Sequence, residues 1–149
     1  MADQLHLDDQ LCFALHAASR AMTAAYAPLL AELELTYPQY IVMLVLWEQD
    51  GSRVSQIGDR VYLDSATLTP LLKRLEARGL VTRKRSREDE RVVEVFLTAA
   101  GKRLQRKAAQ IPACMLDKAE LSLPELRALR AQLQALTARL RSLQDEEAP

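Results

Sequence analysis

Between Gly79 and Thr98 the chain changes its period, and this switch constrains the fold more than any other feature. Upstream, apolar residues recur at helical spacing: Leu11, Leu15, Ala18, Met22, Leu29 and Leu30, then Ile41, Leu44 and Val45, then Leu68, Leu71, Leu72 and Leu75. Leu80 to Arg85 and Val92 to Leu97 are instead rich in β-branched residues and roughly alternating, the pattern of half-buried strands. The polar run Ser86-Arg87-Glu88-Asp89-Glu90-Arg91 between them predicts a β-hairpin with a charged tip. After Thr98 the helical period returns. A hairpin set into an otherwise helical chain predicts a mainly α fold with a small β-hairpin wing, a winged helix-turn-helix extended by helices at both ends.

Local signals place the boundaries. Thr36-Tyr37-Pro38-Gln39 is a capping box with proline in the first turn, so a helix opens there; it runs to Trp47 and ends at Asp50-Gly51-Ser52. A short helix covers Val54 to Leu63. Asp64 or Ser65 caps the next helix, which stops at Gly79. Thr98 caps a helix running to about Ile111, with Pro112 as a bend or break, and Ser122-Leu123-Pro124-Glu125 is another capping box. The last helix carries leucines at 126, 129, 133, 136, 140 and 143, close to a heptad seam. A first helix preceded by Asp8 and Asp9 places those acids at the positive end of its dipole. The expected layout is a single domain over 1–149, with helices at about 8–32 and 99–144 around a winged helix-turn-helix at about 37–98. Long helices with one apolar stripe must bury it, which predicts a two-fold homodimer.

Composition excludes several classes. The longest strongly apolar run, Tyr40 to Trp47, is far short of the roughly 20 residues of a membrane span. Met1 to His6 has no basic segment followed by an apolar one, so no secretory signal is expected. Two cysteines make no disulfide scaffold, and a cytoplasmic chain with reduced thiols is expected. No CxxC or HxxxH pattern supports a metal site, and no cofactor is expected. Formal net charge is zero, which at face value argues against nucleic acid. Yet Arg53 to Lys107 holds 14 Lys+Arg against 7 Asp+Glu, leaving the rest with 6 against 13. A +7 centre between acidic flanks fits a polyanion partner, here double-stranded DNA.

The recognition helix is expected over Asp64 to Arg74. Asp64, Ser65, Thr67 and Thr69 lie at or near its N-terminal turn, where short polar groups reach base edges or phosphates. Lys73 and Arg74 serve as phosphate anchors further along. In the hairpin, Arg85 belongs to the basic first strand, Arg91 is placed to enter a minor groove, and Asp89 is placed to orient a neighbouring arginine.

The segments Asp64 to Glu76, Gly79-Leu80-Val81-Thr82-Arg83 and Asp89-Glu90-Arg91 with Leu97-Thr98 resemble the MarR family of dimeric winged-helix repressors. Leu11-Cys12-Phe13-Ala14-Leu15, Tyr26-Ala27-Pro28-Leu29-Leu30 and Thr36-Tyr37-Pro38-Gln39-Tyr40 narrow the resemblance to the branch that senses organic hydroperoxides. The resemblance implies a transcriptional repressor rather than an enzyme, with an organic hydroperoxide as inducer and a pseudo-palindromic operator. It implies that Cys12 is the peroxide-sensing thiol, in a pocket with Phe13, Tyr26 and Tyr37. His16 stands where the family has a third tyrosine; protonated it would stabilise a thiolate, and neutral it would accept the thiol proton. Cys114 would be a resolving cysteine, as some members carry one in this region. Cys12 and Tyr26 are 14 residues apart, about 21 Å along one helix, so their contact requires a second subunit. Two other readings stay open: a repressor of the same fold answering a small phenolic ligand without thiol chemistry, and a two-cysteine thiol peroxidase. The peroxidase lacks an arginine beside Cys12, since Arg20 lies about 12 Å away.

Overall fold

A computed structural model of the chain describes residues 5–147. They divide into two compact units, one up to Ala109 and one from Gln110 on. In the first, a 3₁₀ turn at Leu7–Asp9 leads into α1 (Leu11–Ala31), α2 (Tyr37–Glu48), β1 (Ser52–Arg53), α3 (Val54–Val61), α4 (Ser65–Ala77), β2 (Val81–Arg85), β3 (Val93–Leu97) and α5 (Ala99–Ala108). The second holds α6 (Ile111–Lys118) and α7 (Leu123–Glu147). Among the described residues no helix is long and apolar enough to cross a membrane.

The hairpin is antiparallel, Val81 facing Leu97 and Arg85 facing Val93. β1 pairs with β3 through Ser52 and Val95, giving the sheet order β1-β3-β2. The core of this unit is built from α2, α3, α4 and the sheet. Met43, Leu46, Ile57, Leu68, Leu72, Leu75, Val81 and Val95 are fully buried, and each such side chain contributes about 1.5–3 kcal/mol of burial free energy. Two contacts tie α2 and the turn after it to α5 and to the end of β3. The Trp47 indole N–H donates to the Gly101 carbonyl at 2.9 Å, and Asp50 accepts from the Leu97 N–H at 2.7 Å. Gly101 is required there, because a Cβ would sit 2.2 Å from the Leu80 carbonyl oxygen.

Both long corners of this unit end in Schellman caps. At the end of α4 the Leu80 N–H donates to Leu75 and the Gly79 N–H to Glu76, with Gly79 at φ 72°. At the end of α1 the Leu35 N–H donates to Leu30 and the Glu34 N–H to Ala31, with Glu34 at φ 53°. A non-glycine residue in that left-handed conformation costs about 1–2 kcal/mol.

Two expectations need correction and two details are added. Asp8 and Asp9 precede α1 as expected, and the structure adds that they lie in the 3₁₀ turn and that Gln10 opens α1 with no side-chain cap. Pro112 does not break a helix; it sits in the first turn of α6, where its missing N–H costs nothing, and α5 ends before it at Ala108. The short third helix ends at Val61, because Tyr62 turns left-handed. Strand β1 is an addition, two residues long and too short to show alternation.

Candidate functional site

Asp64 caps α4: its carboxylate accepts from the Thr67 N–H at 2.8 Å, and that bond holds its pKa below the usual carboxylate range. The cap fixes where the first turn of α4 starts and leaves Ser65 and Thr67 exposed on it, with Thr69 half-buried one turn on. The opposite face of α4 is locked into the core by Leu68, Leu71, Leu72 and Leu75. Lys73 and Arg74 stay exposed. Between α4, α3 and the wing lies a cleft of about 730 Å³. Lys73, Arg83, Arg85, Arg91 and Arg53 line it with Ser65 and Thr69, against the carboxylates of Asp59 and Asp64. Five cations against two carboxylates make this a concave, cationic surface beside the exposed turn of α4, suited to a phosphate backbone.

The arginines divide by their tethers. Arg83 is bound to Glu76, whose carboxylate accepts from the Arg83 backbone N–H at 2.8 Å and from its guanidinium at 3.1 Å. Those bonds hold the Glu76 pKa low and pin the first strand of the wing to α4. Arg85 donates to the Glu90 carbonyl at 2.8 Å, bracing the wing tip. Asp89 accepts from Arg91 at 3.2 Å while the Arg91 side chain remains 90% exposed, so Asp89 orients an arginine that still projects outward. Among the sequence-assigned residues, Arg91, Lys73 and Arg74 present their charge outward, and Asp64, Arg85 and Asp89 shape the surface. Arg53 and Arg83, absent from the sequence-assigned set, complete the cleft.

The second site is on α1. Cys12 is exposed in its first turn, next to Phe13 at 40% exposure, with His16 exposed one turn later. Leu11 and Met22 are exposed apolar residues on the same helix. Tyr26 lies near the other end of this continuous helix, so the rise of about 21 Å from Cys12 stands, and Pro28 lies beyond both. Tyr26 packs instead on α2: its ring centroid is 5.3 Å from Tyr37 and 5.8 Å from Tyr40, and Tyr40 in turn meets Trp47 edge-on at 6.4 Å. Burial and the neighbouring phenols push the Tyr26 and Tyr40 pKa values above the usual range, so both hydroxyls stay protonated and able to donate. Tyr40, outside the sequence-assigned set, is buried one helical turn after Tyr37 and completes this ring cluster. The structure therefore brings Tyr26 and Tyr37 together and leaves Cys12, Phe13 and His16 at the far end of α1. In the second unit, Cys114 lies on α6 and is partly exposed. Among the described residues no group of His, Cys, Asp and Glu forms a metal site.

A family model described as transcriptional regulator SarA/Rot matches residues 24–108. The organic hydroperoxide resistance transcriptional regulator of Bacillus subtilis is 49% identical over 134 residues, 90% of this chain and 91% of that one. The regulator TtmR of Methylorubrum extorquens is 54% identical over 85% of this chain, which spans 65% of its length. Reduced AbfR bound to DNA superposes with a TM-score of 0.80 at 33% identity, covering 95% of this chain and 96% of its own; AbfR is a protein of Staphylococcus epidermidis. A disulfide-formed AbfR also matches, with a TM-score of 0.65 at 33% identity over 97% of this chain and 96% of its own. With its winged helix, its cationic cleft and these relatives, the chain is a DNA-binding transcriptional regulator and belongs to the MarR family, in the branch of the organic hydroperoxide resistance regulators.

Proposed function

We propose that the protein is a homodimeric repressor that senses organic hydroperoxides through Cys12 and releases a pseudo-palindromic operator when that thiol is oxidised. One observation carries the reading: an exposed cysteine in the first turn of α1, in a chain 49% identical to a hydroperoxide resistance regulator. The Cys12 thiolate attacks one peroxide oxygen; the O–O bond breaks, an S–O bond forms, and with one proton the products are the sulfenic acid and an alcohol. Cys114 of the other subunit then attacks that sulfur, forming an inter-subunit disulfide and releasing water, which guards Cys12 against over-oxidation. That a disulfide-formed AbfR exists supports this second step.

The sensor is completed by a second copy of the chain. Tyr26 is too far along α1 to reach its own Cys12, and α1 and α7 both carry exposed apolar residues: Leu11, Phe13 and Met22 on one, Leu129, Leu133, Leu140 and Leu143 on the other. Pairing two chains over these faces buries them and brings Cys12, Phe13 and His16 of one subunit to Tyr26 and Tyr37 of the other. It also sets two recognition helices side by side. Ser65, Thr67 and Thr69 read bases or phosphates, Lys73 and Arg74 anchor the backbone, and Arg91 enters a minor groove. Operator gel shift with and without cumene hydroperoxide tests the function. Wild type releases DNA on oxidation and Cys12→Ser stays bound; release by both would point to a ligand-driven switch without thiol chemistry.

A further inference from the structure

Arg78 is the C-cap residue of the recognition helix α4, yet its side chain is spent on another helix. Its guanidinium donates to the Glu34 carbonyl, to the Leu33 carbonyl at 3.2 Å and to the Glu34 carboxylate at 3.4 Å. Leu33 and Glu34 form the Schellman corner that closes α1, so this one cation stands at the C-terminal ends of two helices. Both ends carry the negative pole of a helix dipole, which favours a cation there. The two carbonyls are the firm part of the contact, since the Glu34 side chain is 84% exposed and the Arg78 side chain only 30%. A planar guanidinium holds two acceptors in a fixed fork, whereas an ammonium is a single point charge.

The corner lies between the elements of the tyrosine cluster. Tyr26 is on α1 before it, Tyr37 opens α2 after it, and their rings are in contact. Leu33 and Glu34 are thus part of the link between the two helices that carry these rings. At the other end of the connection, α4 is a rigid rod of 13 residues, about 20 Å long, whose N-terminal turn exposes Ser65 and Thr67. A displacement at Arg78 therefore tilts the base-reading end.

We propose that Arg78 is the positioning residue that transmits the state of the tyrosine cluster to the recognition helix. This rests on the reading that Cys12 oxidation releases DNA. Arg78 itself touches neither thiol nor operator in this assignment; it acts through α1 and α4.

The test compares coupling, not affinity. Full-length protein is titrated against a labelled duplex selected by wild type from a random pool, reduced and after one equivalent of cumene hydroperoxide. The coupling factor is Kd oxidised over Kd reduced. Arg78→Ala is expected to lower this factor at least tenfold, with the reduced Kd within about threefold of wild type and the rate of Cys12 thiol loss unchanged. Arg78→Lys, which keeps the charge but not the fork, should fall in between; it decides the matter if Arg78→Ala does not fold. A residue that merely staples two helices would lower the melting temperature and shift both Kd values together, leaving the factor at its wild-type value. That result overturns the proposal while the sensing reading survives. A wild-type factor of one refutes the sensing reading, and this proposal with it.

Discussion

The DNA-reading region and the thiol end of α1 belong to the same compact unit and are built in opposite ways. Around α4 and the wing, nearly every polar tether closes within the chain: Asp64 on Thr67, Glu76 on Arg83, Asp89 on Arg91 and Asp50 on Leu97. Leu68, Leu72 and Leu75 are at most 1% exposed beneath them. At the thiol end, Leu11 is 64% exposed, Phe13 40%, and Cys12 lies open between them. A reader of DNA must present a preformed surface, because any disorder in it is paid for on binding. A sensor that works by changing how two subunits meet can leave its chemistry unfinished in one chain. Under the proposed function, oxidation acts on packing between copies, and the preformed reading surface moves as a body.

Truncation sharpens this contrast most strongly. Leu72→Ala removes a fully buried side chain and should lower unfolding free energy by about 2–5 kcal/mol. Phe13→Ala at the thiol end should cost far less in folding but weaken self-association. Urea denaturation at several protein concentrations separates the two effects, and equal losses at both sites would break the contrast. Next in size, Arg91→Ala should weaken operator binding about tenfold, corresponding to about 1.4 kcal/mol, and reduce the slope of log K against log salt by about one. Asp89→Ala should do less, since it leaves the cation in place; fluorescence anisotropy at 50 to 200 mM salt reads both. Thr36→Ala should cost about 1 kcal/mol, because the Thr36 hydroxyl accepts the Gln39 N–H while the Gln39 side chain returns the bond.

The smallest effect is one of pH. The bond from Thr67 holds the Asp64 pKa below its ordinary value, so the folded state binds that proton less readily than the unfolded state. Its contribution is present above the unfolded value, about pH 4, and is lost as pH falls through the folded value. The gap in melting temperature between wild type and Asp64→Ala should therefore be constant from pH 7 to 5 and narrow below about pH 4. A gap that persists unchanged at pH 3 would mean that the carboxylate charge does not matter to the cap.

What the sequence made legible was short in range. The capping boxes at Thr36 and Ser122 and the Asp64 cap each involve residues three apart, and all three formed. The hairpin followed from alternation, whereas its register came only with the structure. Features that join distant segments left no such trace. The cleft draws on residues from Arg53 to Val93, so Arg53 and Arg83, both in the basic segment, were not assigned to the DNA-binding set. Asp50 reaches Leu97 across 47 positions, and Arg78 reaches Glu34 across 44. Glu34 in a left-handed corner is invisible to patterns that look for glycine there. Tyr40 was within reach, because its spacing from Tyr37 and its ring contacts obey the helical period.

A high-resolution structure of the reduced homodimer tests the central claim most directly, through the distance from the Cys12 sulfur to the nearest tyrosine hydroxyls. The account predicts Tyr26 and Tyr37 of the partner subunit within hydrogen-bond reach of Cys12, with Phe13 and His16 lining the same pocket. A dimer in which Cys12 faces solvent, or meets no tyrosine of the other chain, would contradict it.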